Sequence, residues 1–229
     1  MQLNKDNFDQ VIELGVILQQ YNEYDQRHIG ILYKIDDKEA RVSHLAWHME
    51  LKDEDVKEFL LKASEKSTCV WFQSGLEDHE RRLVSIALAG MAERGQLPGI
   101  PYSTLYSGKY FEEGTLQYVR DEVGAGLTCA TFVMQVFESL GYPVVDVESW
   151  LDRPEDIDWQ RMILEMLEHW GVKNGVSIEE HVKAIREQPA SCRFRPEEVA
   201  YCTTRDEIPV TYQEAEPAGR RIVEELTKL

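Results

Sequence analysis

Cys129 is the residue of this chain best placed to act as a nucleophile. It follows Thr128, whose hydroxyl can cap a helix, and it precedes apolar residues at helical spacing that end before Gly141 and Pro143. A cysteine in the first turn of a helix faces unpaired backbone N–H groups and the positive end of the helix dipole, which favour a thiolate. The pattern therefore predicts a core helix that carries a low-pKa thiol at its start.

A cysteine nucleophile needs a base within hydrogen-bond reach, and the base needs a third group to orient it. Of the six histidines, His28, His44 and His48 lie in stretches rich in strand formers, residues 27–35 and 41–51, with a polar turn between them. This pattern predicts a β-hairpin that holds the base. The other three histidines lie on polar helical stretches and are interpreted as surface residues: His79, His169 and His181.

The register of this hairpin decides whether His28 and His44 can work together, because side chains alternate along a strand. With an odd number of residues in the turn, His28 lies opposite Ala46 and Gly30 opposite His44, so the two histidines share one face. With an even number of residues in the turn, the two histidines point to opposite faces of the sheet. The catalytic hypothesis requires the odd register or a bulge, with the Cys129 helix packed across the same face. It also requires the sulfur within about 4 Å of a His28 ring nitrogen.

Three segments of the chain resemble the circularly permuted NlpC/P60 papain-like family, which includes the lecithin:retinol acyltransferase-like group. They are His28-Ile-Gly-Ile-Leu-Tyr, Arg41-Val-Ser-His44-Leu-Ala and Leu127-Thr-Cys129-Ala-Thr-Phe-Val. The resemblance implies an α+β papain-like fold, with an antiparallel sheet, a core helix that carries the cysteine, and additional C-terminal helices. It also implies three catalytic roles: Cys129 as nucleophile, His28 as base and His44 as the orienting residue.

These residues lead us to expect a thiol hydrolase or an acyltransferase that acts on an amide, ester or thioester bond. The thiolate would attack a carbonyl, His28 would take the thiol proton and later protonate the leaving group, and the Cys129 N–H would stabilise the oxyanion. Peptides, protein amides and lipid esters stay open as substrates. In the alternative interpretation Cys129 is a small core residue, and the chain is a non-enzymatic acidic binding or inhibitor protein that retains the fold.

Charge restricts the partners of this 229-residue chain, whose 25 basic and 42 acidic residues give a net charge of −17. Nucleic acids and anionic membrane surfaces require a basic footprint, so we expect neither, whereas a basic protein partner stays open. The acidic runs at 53–58 and 152–158 are interpreted as solvated helix faces. His44 and His48 would share a strand face, but no carboxylate–cysteine set accompanies them, so we predict no metal and no cofactor.

Four cysteines are too few for a disulfide scaffold of this length. The first residues lack the apolar core of a signal peptide, and no apolar run is long enough to span a bilayer. We therefore expect a cytoplasmic protein, with export by a route without a cleaved signal left open.

Hydrophobic spacing predicts one domain, residues 1–229, in which residues 150–229 form a helical cap or extension. A long ordered loop is predicted at 96–114, and Pro196 opens a short turn. The predicted elements outside the hairpin and the Cys129 helix are a strand at 68–73 and helices at 7–21, 53–66, 76–94, 155–170, 177–187 and 219–229.

Overall fold

The computed structural model of the chain describes residues 3–21, 26–36, 38–63, 67–94, 97, 99–188 and 192–229. Within them the fold is α+β, with one open sheet of five antiparallel strands in the order β4-β3-β2-β1-β5 and with seven α-helices. The strands are β1 Leu14–Tyr21, β2 Arg27–Tyr33, β3 Arg41–Trp47, β4 Glu50–Asp55 and β5 Ser67–Gln73. The helices are α1 Val56–Ala63, α2 Asp78–Glu93, α3 Cys129–Ser139, α4 Asp156–Asn174, α5 Glu179–Glu187, α6 Pro196–Thr203 and α7 Tyr212–Leu226. The predicted α+β class and antiparallel sheet are confirmed.

The predicted helix at 7–21 is wrong. Only Phe8–Gln10 is helical, as a short 3₁₀ turn, and Leu14–Tyr21 forms β1. β1 pairs with β2 on one side and β5 on the other, and its residues from Leu14 to Gln19 are all buried. A strand covered on both faces loses the alternation of apolar and polar residues, so its apolar run has the appearance of a helix.

The second hairpin strand is shorter than predicted. β3 ends at Trp47, an irregularity in the β3–β4 ladder lies between Leu45 and Trp47, and the chain returns at once as β4. Residues 53–55, expected to begin a helix, are therefore the end of β4, and α1 begins at Val56. The turn between β2 and β3 includes Asp37, which lies outside the described residues.

The two faces of the sheet carry different cores. On one face Ile29, Ile31 and Tyr33 of β2 pack in the main core, which contains α3. On the other face Leu32 of β2 packs against Val56 and Phe59 of α1 in a smaller core.

The main core extends into the C-terminal third of the chain. It includes buried residues of every helix from α4 to α7, and α6 packs against β1, β2 and α3. The turn expected at Pro196 is the start of α6, and α7 begins at Tyr212, well before the predicted residue 219. No helix of the described ranges has the length and apolar character needed to cross a bilayer.

The predicted loop at 96–114 contains no helix or multi-residue strand in its described part, which omits residues 96 and 98. Tyr110 and Phe111 are nevertheless buried, and isolated bridges join Tyr102 to Leu127 and Phe111 to Tyr118. The described part of this segment is therefore an ordered loop, as predicted.

Gly30 is required by the close approach of β3. A Cβ at this position would lie 2.9 Å from both His44 Cβ and Val42 Cγ1. We expect Gly30→Ala to lower the free energy of unfolding by about 1–3 kcal/mol, because the added methyl group overpacks the site and displaces His44. Urea denaturation measures this. The control is Gly90→Ala in α2, where a Cβ meets nothing within 4 Å and where the higher helix propensity of alanine is expected to stabilise by up to about 1 kcal/mol. Equal stability of the two variants would contradict the predicted crowding.

Candidate functional site

His28 and His44 are in direct contact, with His28 Nε2 and His44 Nδ1 2.8 Å apart. The β2–β3 register pairs Ile31 with Ser43, and its extension places Gly30 opposite His44. The odd register is therefore confirmed, and the two histidines share one face of the sheet. Both side chains are buried.

The pair continues to a carboxylate that the sequence interpretation missed. His44 Nε2 lies 3.0 Å from Glu54 Oε1, and Lys62 binds the other oxygen of Glu54. Burial alone would raise the pKa of Glu54, but the hydrogen bonds from Lys62 and His44 outweigh it, so the pKa is lowered and the carboxylate is ionised at neutral pH. The side chains of Asp53 and Glu54 are mostly buried, at 2% and 11% exposure, so the interpretation of residues 53–58 as a solvated helix face is wrong here.

The ionised carboxylate determines which atom donates in each hydrogen bond of this chain of contacts. An ionised Glu54 only accepts, so His44 must donate from Nε2 and accept at Nδ1. His28 then donates from Nε2, which leaves its Nδ1 as a bare lone pair. Among the described residues no group bonds His28 Nδ1. The Glu54–His44–His28 chain therefore presents a nitrogen that can accept a proton.

Both histidines are neutral at neutral pH. Burial lowers the pKa of His28 well below its ordinary value of 6.5, and the nearby His44 and Lys52 lower it further. Burial also lowers the pKa of His44, although the hydrogen bond to Glu54 opposes the change. A neutral His28 is the form that acts as a base.

Cys129 is the first residue of α3, as predicted. The hydroxyl of Thr128 caps the helix by accepting from the Thr131 N–H at 3.2 Å. Burial raises the pKa of the Cys129 thiol, and hydrogen bonding from the backbone of Ile29 and Ala130, together with the Arg193 charge, opposes this rise only in part. The expectation of a low-pKa thiol is therefore wrong in the resting protein, because Cys129 is only 6% exposed and loses more from desolvation than the helix start provides.

The Cys129 helix packs on the face of the sheet opposite to the two histidines. α3 belongs to the main core with Ile29 and Ile31, whereas the His44 ring lies 5.1 Å from that of Phe59 on the α1 side. The expectation that α3 crosses the histidine face is wrong, and no hydrogen bond joins Cys129 to His28 within the described part of the chain. Pairing between β2 and β3 covers only three residue pairs, from Ile31 to Tyr33. The start of β2 pairs with β1 but not with β3, and the backbone of Ile29, next to His28, lies near enough to Cys129 to lower the pKa of its thiol.

A cavity of about 300 Å³ is lined by both His28 and Cys129. Thr128 and Ala130 line it beside the cysteine, and Arg193 lies on its wall. Its aromatic lining consists of Tyr21, Trp47, Tyr102, Trp159 and Phe194. The cysteine and the end of the Glu54–His44–His28 chain therefore face one small, largely aromatic space, of a size that suits part of a small ligand.

His48 does not lie beside His44. It follows the end of β3, where its Nδ1 accepts the Tyr102 N–H at 3.2 Å and its ring lies 5.2 Å from that of His181. His181 Nε2 lies 2.9 Å from the Tyr102 carbonyl oxygen, so it donates to that oxygen. His181 is therefore not a surface residue, and two histidines hold the backbone of Tyr102 in the cavity wall. In the described ranges no three His, Cys, Asp or Glu side chains converge as metal ligands would.

The histidines that hold Tyr102 make stability depend on pH. Burial lowers the pKa of His48 from 6.5 to about 4, with His181 adding to the shift. A His with a depressed folded pKa contributes stability that is complete above pH 6.5 and is lost as the pH falls towards 4. We expect His48 to account for a loss of roughly 3 kcal/mol in the free energy of unfolding over that range. His48→Gln should remove this share from urea titrations, whereas the exposed His79→Gln should not; equal pH dependence in all three proteins would contradict the assignment.

Comparison of the chain with models of known protein families, with curated proteins and with solved structures finds no match.

Proposed function

We propose that the protein is a cysteine-nucleophile hydrolase or acyltransferase that acts on an amide, ester or thioester bond. Cys129 is the nucleophile, His28 its base and His44 the orienting residue, and Glu54 extends this set by fixing the ring tautomers. The observation that carries the proposal is the directed Glu54–His44–His28 chain, which ends at His28, a residue that lines the same cavity as Cys129.

The proposed fold is papain-like, of the circularly permuted NlpC/P60 type. Support comes from the antiparallel sheet, the two histidines on neighbouring strands and the cysteine at the start of a core helix. This relationship rests on the three resembling segments and on these placements.

The resting state in this proposal is a neutral thiol and a neutral imidazole that line one cavity without a hydrogen bond between them, so the proposal requires the two groups to approach each other when substrate binds. As the sulfur attacks the carbonyl carbon, the thiol proton passes to His28 Nδ1. The tetrahedral intermediate then breaks its bond to the leaving group, which takes that proton, and a thioester of Cys129 remains. Water completes a hydrolysis, and another nucleophile completes a transfer.

Tyr102 is placed to help stabilise the oxyanion. Burial raises the pKa of its hydroxyl well above the ordinary value, and negative charge on Cys129 would raise it further, so the phenol keeps its proton. Hydrogen bonding from the Cys129 backbone opposes this shift in part, which places that N–H near the phenol. The phenol O–H and this N–H are two donors beside the sulfur, which is the arrangement that an oxyanion requires.

The test is whether Cys129 forms an acyl-enzyme. We expect p-nitrophenyl acetate to place one acetyl group on Cys129, detected by intact mass and peptide mapping, with release of one equivalent of nitrophenol before turnover. Cys129→Ala should abolish this acetylation, whereas Cys192→Ala, which removes a half-buried thiol, should not.

The competing candidate is a non-enzymatic acidic binding or inhibitor protein, favoured by the net charge of −17 and by the burial of Cys129. Acetylation no faster at Cys129 than at Cys69 or Cys192 in the folded protein would support this candidate and exclude the nucleophile.

A further inference from the structure

Arg193 places a mostly buried positive charge, with the side chain 16% exposed, on the wall of the Cys129 cavity. Its guanidinium stacks on Trp159, with Cζ 4.0 Å from the ring centroid. A second cavity of about 240 Å³ shares Arg193 and Trp159 with the first. The two residues therefore stand at the boundary between a space beside the nucleophile and a neighbouring space.

The charge of Arg193 is only partly balanced. Its carboxylate partner is Asp156, at 3.4 Å, and Asp156 is also bound by Arg153 at 2.8 Å and by Arg195 at 2.9 Å. Arg153 has a second partner in Glu198, but Arg193 has no second ion pair in the described part of the chain. Its Nε is buried and bonds nothing. Glu197 also acts on the charge of Arg193, but it is itself paired with Arg27 at 2.8 Å. A mostly buried guanidinium with this weak share of its carboxylates retains capacity for another anion.

Arg193 is also within electrostatic reach of the reacting atoms. Its charge lowers the pKa of both the Cys129 thiol and the Tyr102 hydroxyl, opposing the effect of burial on each. An anion bound at Arg193 would therefore lie in the same cavity as a carbonyl held at the sulfur.

We propose that Arg193 binds a carboxylate of the substrate, so that the site takes amides or esters whose acyl part carries a carboxylate. The planar guanidinium can present two parallel N–H groups to a carboxylate, which gives direction as well as attraction. This inference rests on the proposed role of Cys129 and deepens it by naming a substrate class. The rest of the chain is strongly acidic, so a positive group inside the cavity distinguishes this position from the surface.

A pair of alkylating probes tests the inference without a known substrate. Iodoacetate and iodoacetamide have nearly the same size, but only iodoacetate carries a carboxylate. In both reactions the sulfur displaces iodide from the methylene carbon, a C–S bond replaces the C–I bond, and the thiol proton leaves to the base. We expect the iodoacetate-to-iodoacetamide rate ratio to be at least about tenfold higher at Cys129 than at Cys192. Arg193→Gln should remove this difference.

Two controls make the result decisive. Arg161→Gln removes an exposed arginine of α4, 66% exposed, and should leave the ratio unchanged, and Arg193→Lys should retain part of it. If Arg193→Gln does not fold, salt titration of the unaltered protein replaces it, because screening should lower the ratio at Cys129. A ratio at Cys129 that equals the ratio at Cys192, or that is insensitive to both Arg193→Gln and salt, would overturn the anion subsite while leaving the nucleophile intact. Failure of Cys129 to react with either probe would overturn the proposed function as well.

Discussion

His28→Gln is expected to lower the rate of Cys129 acetylation by p-nitrophenyl acetate at pH 7 by about 10²- to 10⁴-fold, the usual contribution of a positioned base. Glutamine can still donate to His44 Nδ1, so the change removes the base while keeping the contact that His28 makes at Nε2. Stopped-flow release of nitrophenol measures the rate. The exposed His79→Gln is the control, and an unchanged rate in a folded His28→Gln protein would exclude His28 as the base.

The pH profile gives an independent check of the same role. The folded pKa of His28 lies below 6.5 and that of Cys129 above 9.0. Between these values the thiol and the imidazole exchange a proton only with each other, so the rate at Cys129 should be flat. At Cys192, whose pKa is also raised, the rate should rise by about tenfold per pH unit as the thiolate fraction grows. In the unaltered protein the rate should fall at pH values below the His28 pKa, as His28 gains a proton. In His28→Gln the flat region should disappear.

Glu54→Gln is expected to lower the same acetylation rate by about 10²-fold or more, although residue 54 is separated from His28 by two contacts and does not touch the cysteine. A glutamine amide can donate to His44 Nε2, which reverses both ring tautomers and places a proton on His28 Nδ1. A base with the wrong tautomer cannot take the thiol proton, and this is the physical reason that such substitutions are costly in catalytic triads.

Lys62→Met is the matched control for Glu54→Gln. It removes the other partner of Glu54 from an exposed position but keeps the carboxylate beside His44, so the rate should change by less than about threefold. Urea denaturation must show both variants folded. Equal rates in the two variants would show that the direction of the hydrogen bonds does not matter.

The sequence reduced the placement of His28 and His44 to two cases, set by the parity of a short turn, and the structure has the odd case that the catalytic hypothesis requires. The start of α3 could be predicted because its cap and apolar stripe are local in sequence. β1 could not be predicted, because burial on both faces removes the alternation of apolar and polar residues by which a strand is identified.

The missed site residues depend on tertiary structure. Glu54 lies in a polar run that has the composition of a helix face and becomes a neighbour of His44 only through the β3–β4 pairing. Arg193 reaches the cavity only through the packing of the C-terminal helices. The same applies to Asp156, interpreted as part of a solvated run and found buried among three arginines. For Cys129, the backbone at the helix start lowers the thiol pKa, as predicted, but the desolvation imposed by the whole fold raises that pKa by more.

The two hydrogen bonds on Tyr102 couple the far end of the chain to the reaction site. His48 lies between β3 and β4, and His181 belongs to α5. One wall of the cavity is therefore fixed by two residues that are more than a hundred positions apart in the sequence. A fragment that stops before α4 would lose this wall and would also expose the main-core face of β1 and β2 that α6 covers. The C-terminal helices therefore help to shape the cavity that Cys129 lines. If the proposed function holds, insertions between α4 and α6 are expected to alter substrate selectivity as well as stability.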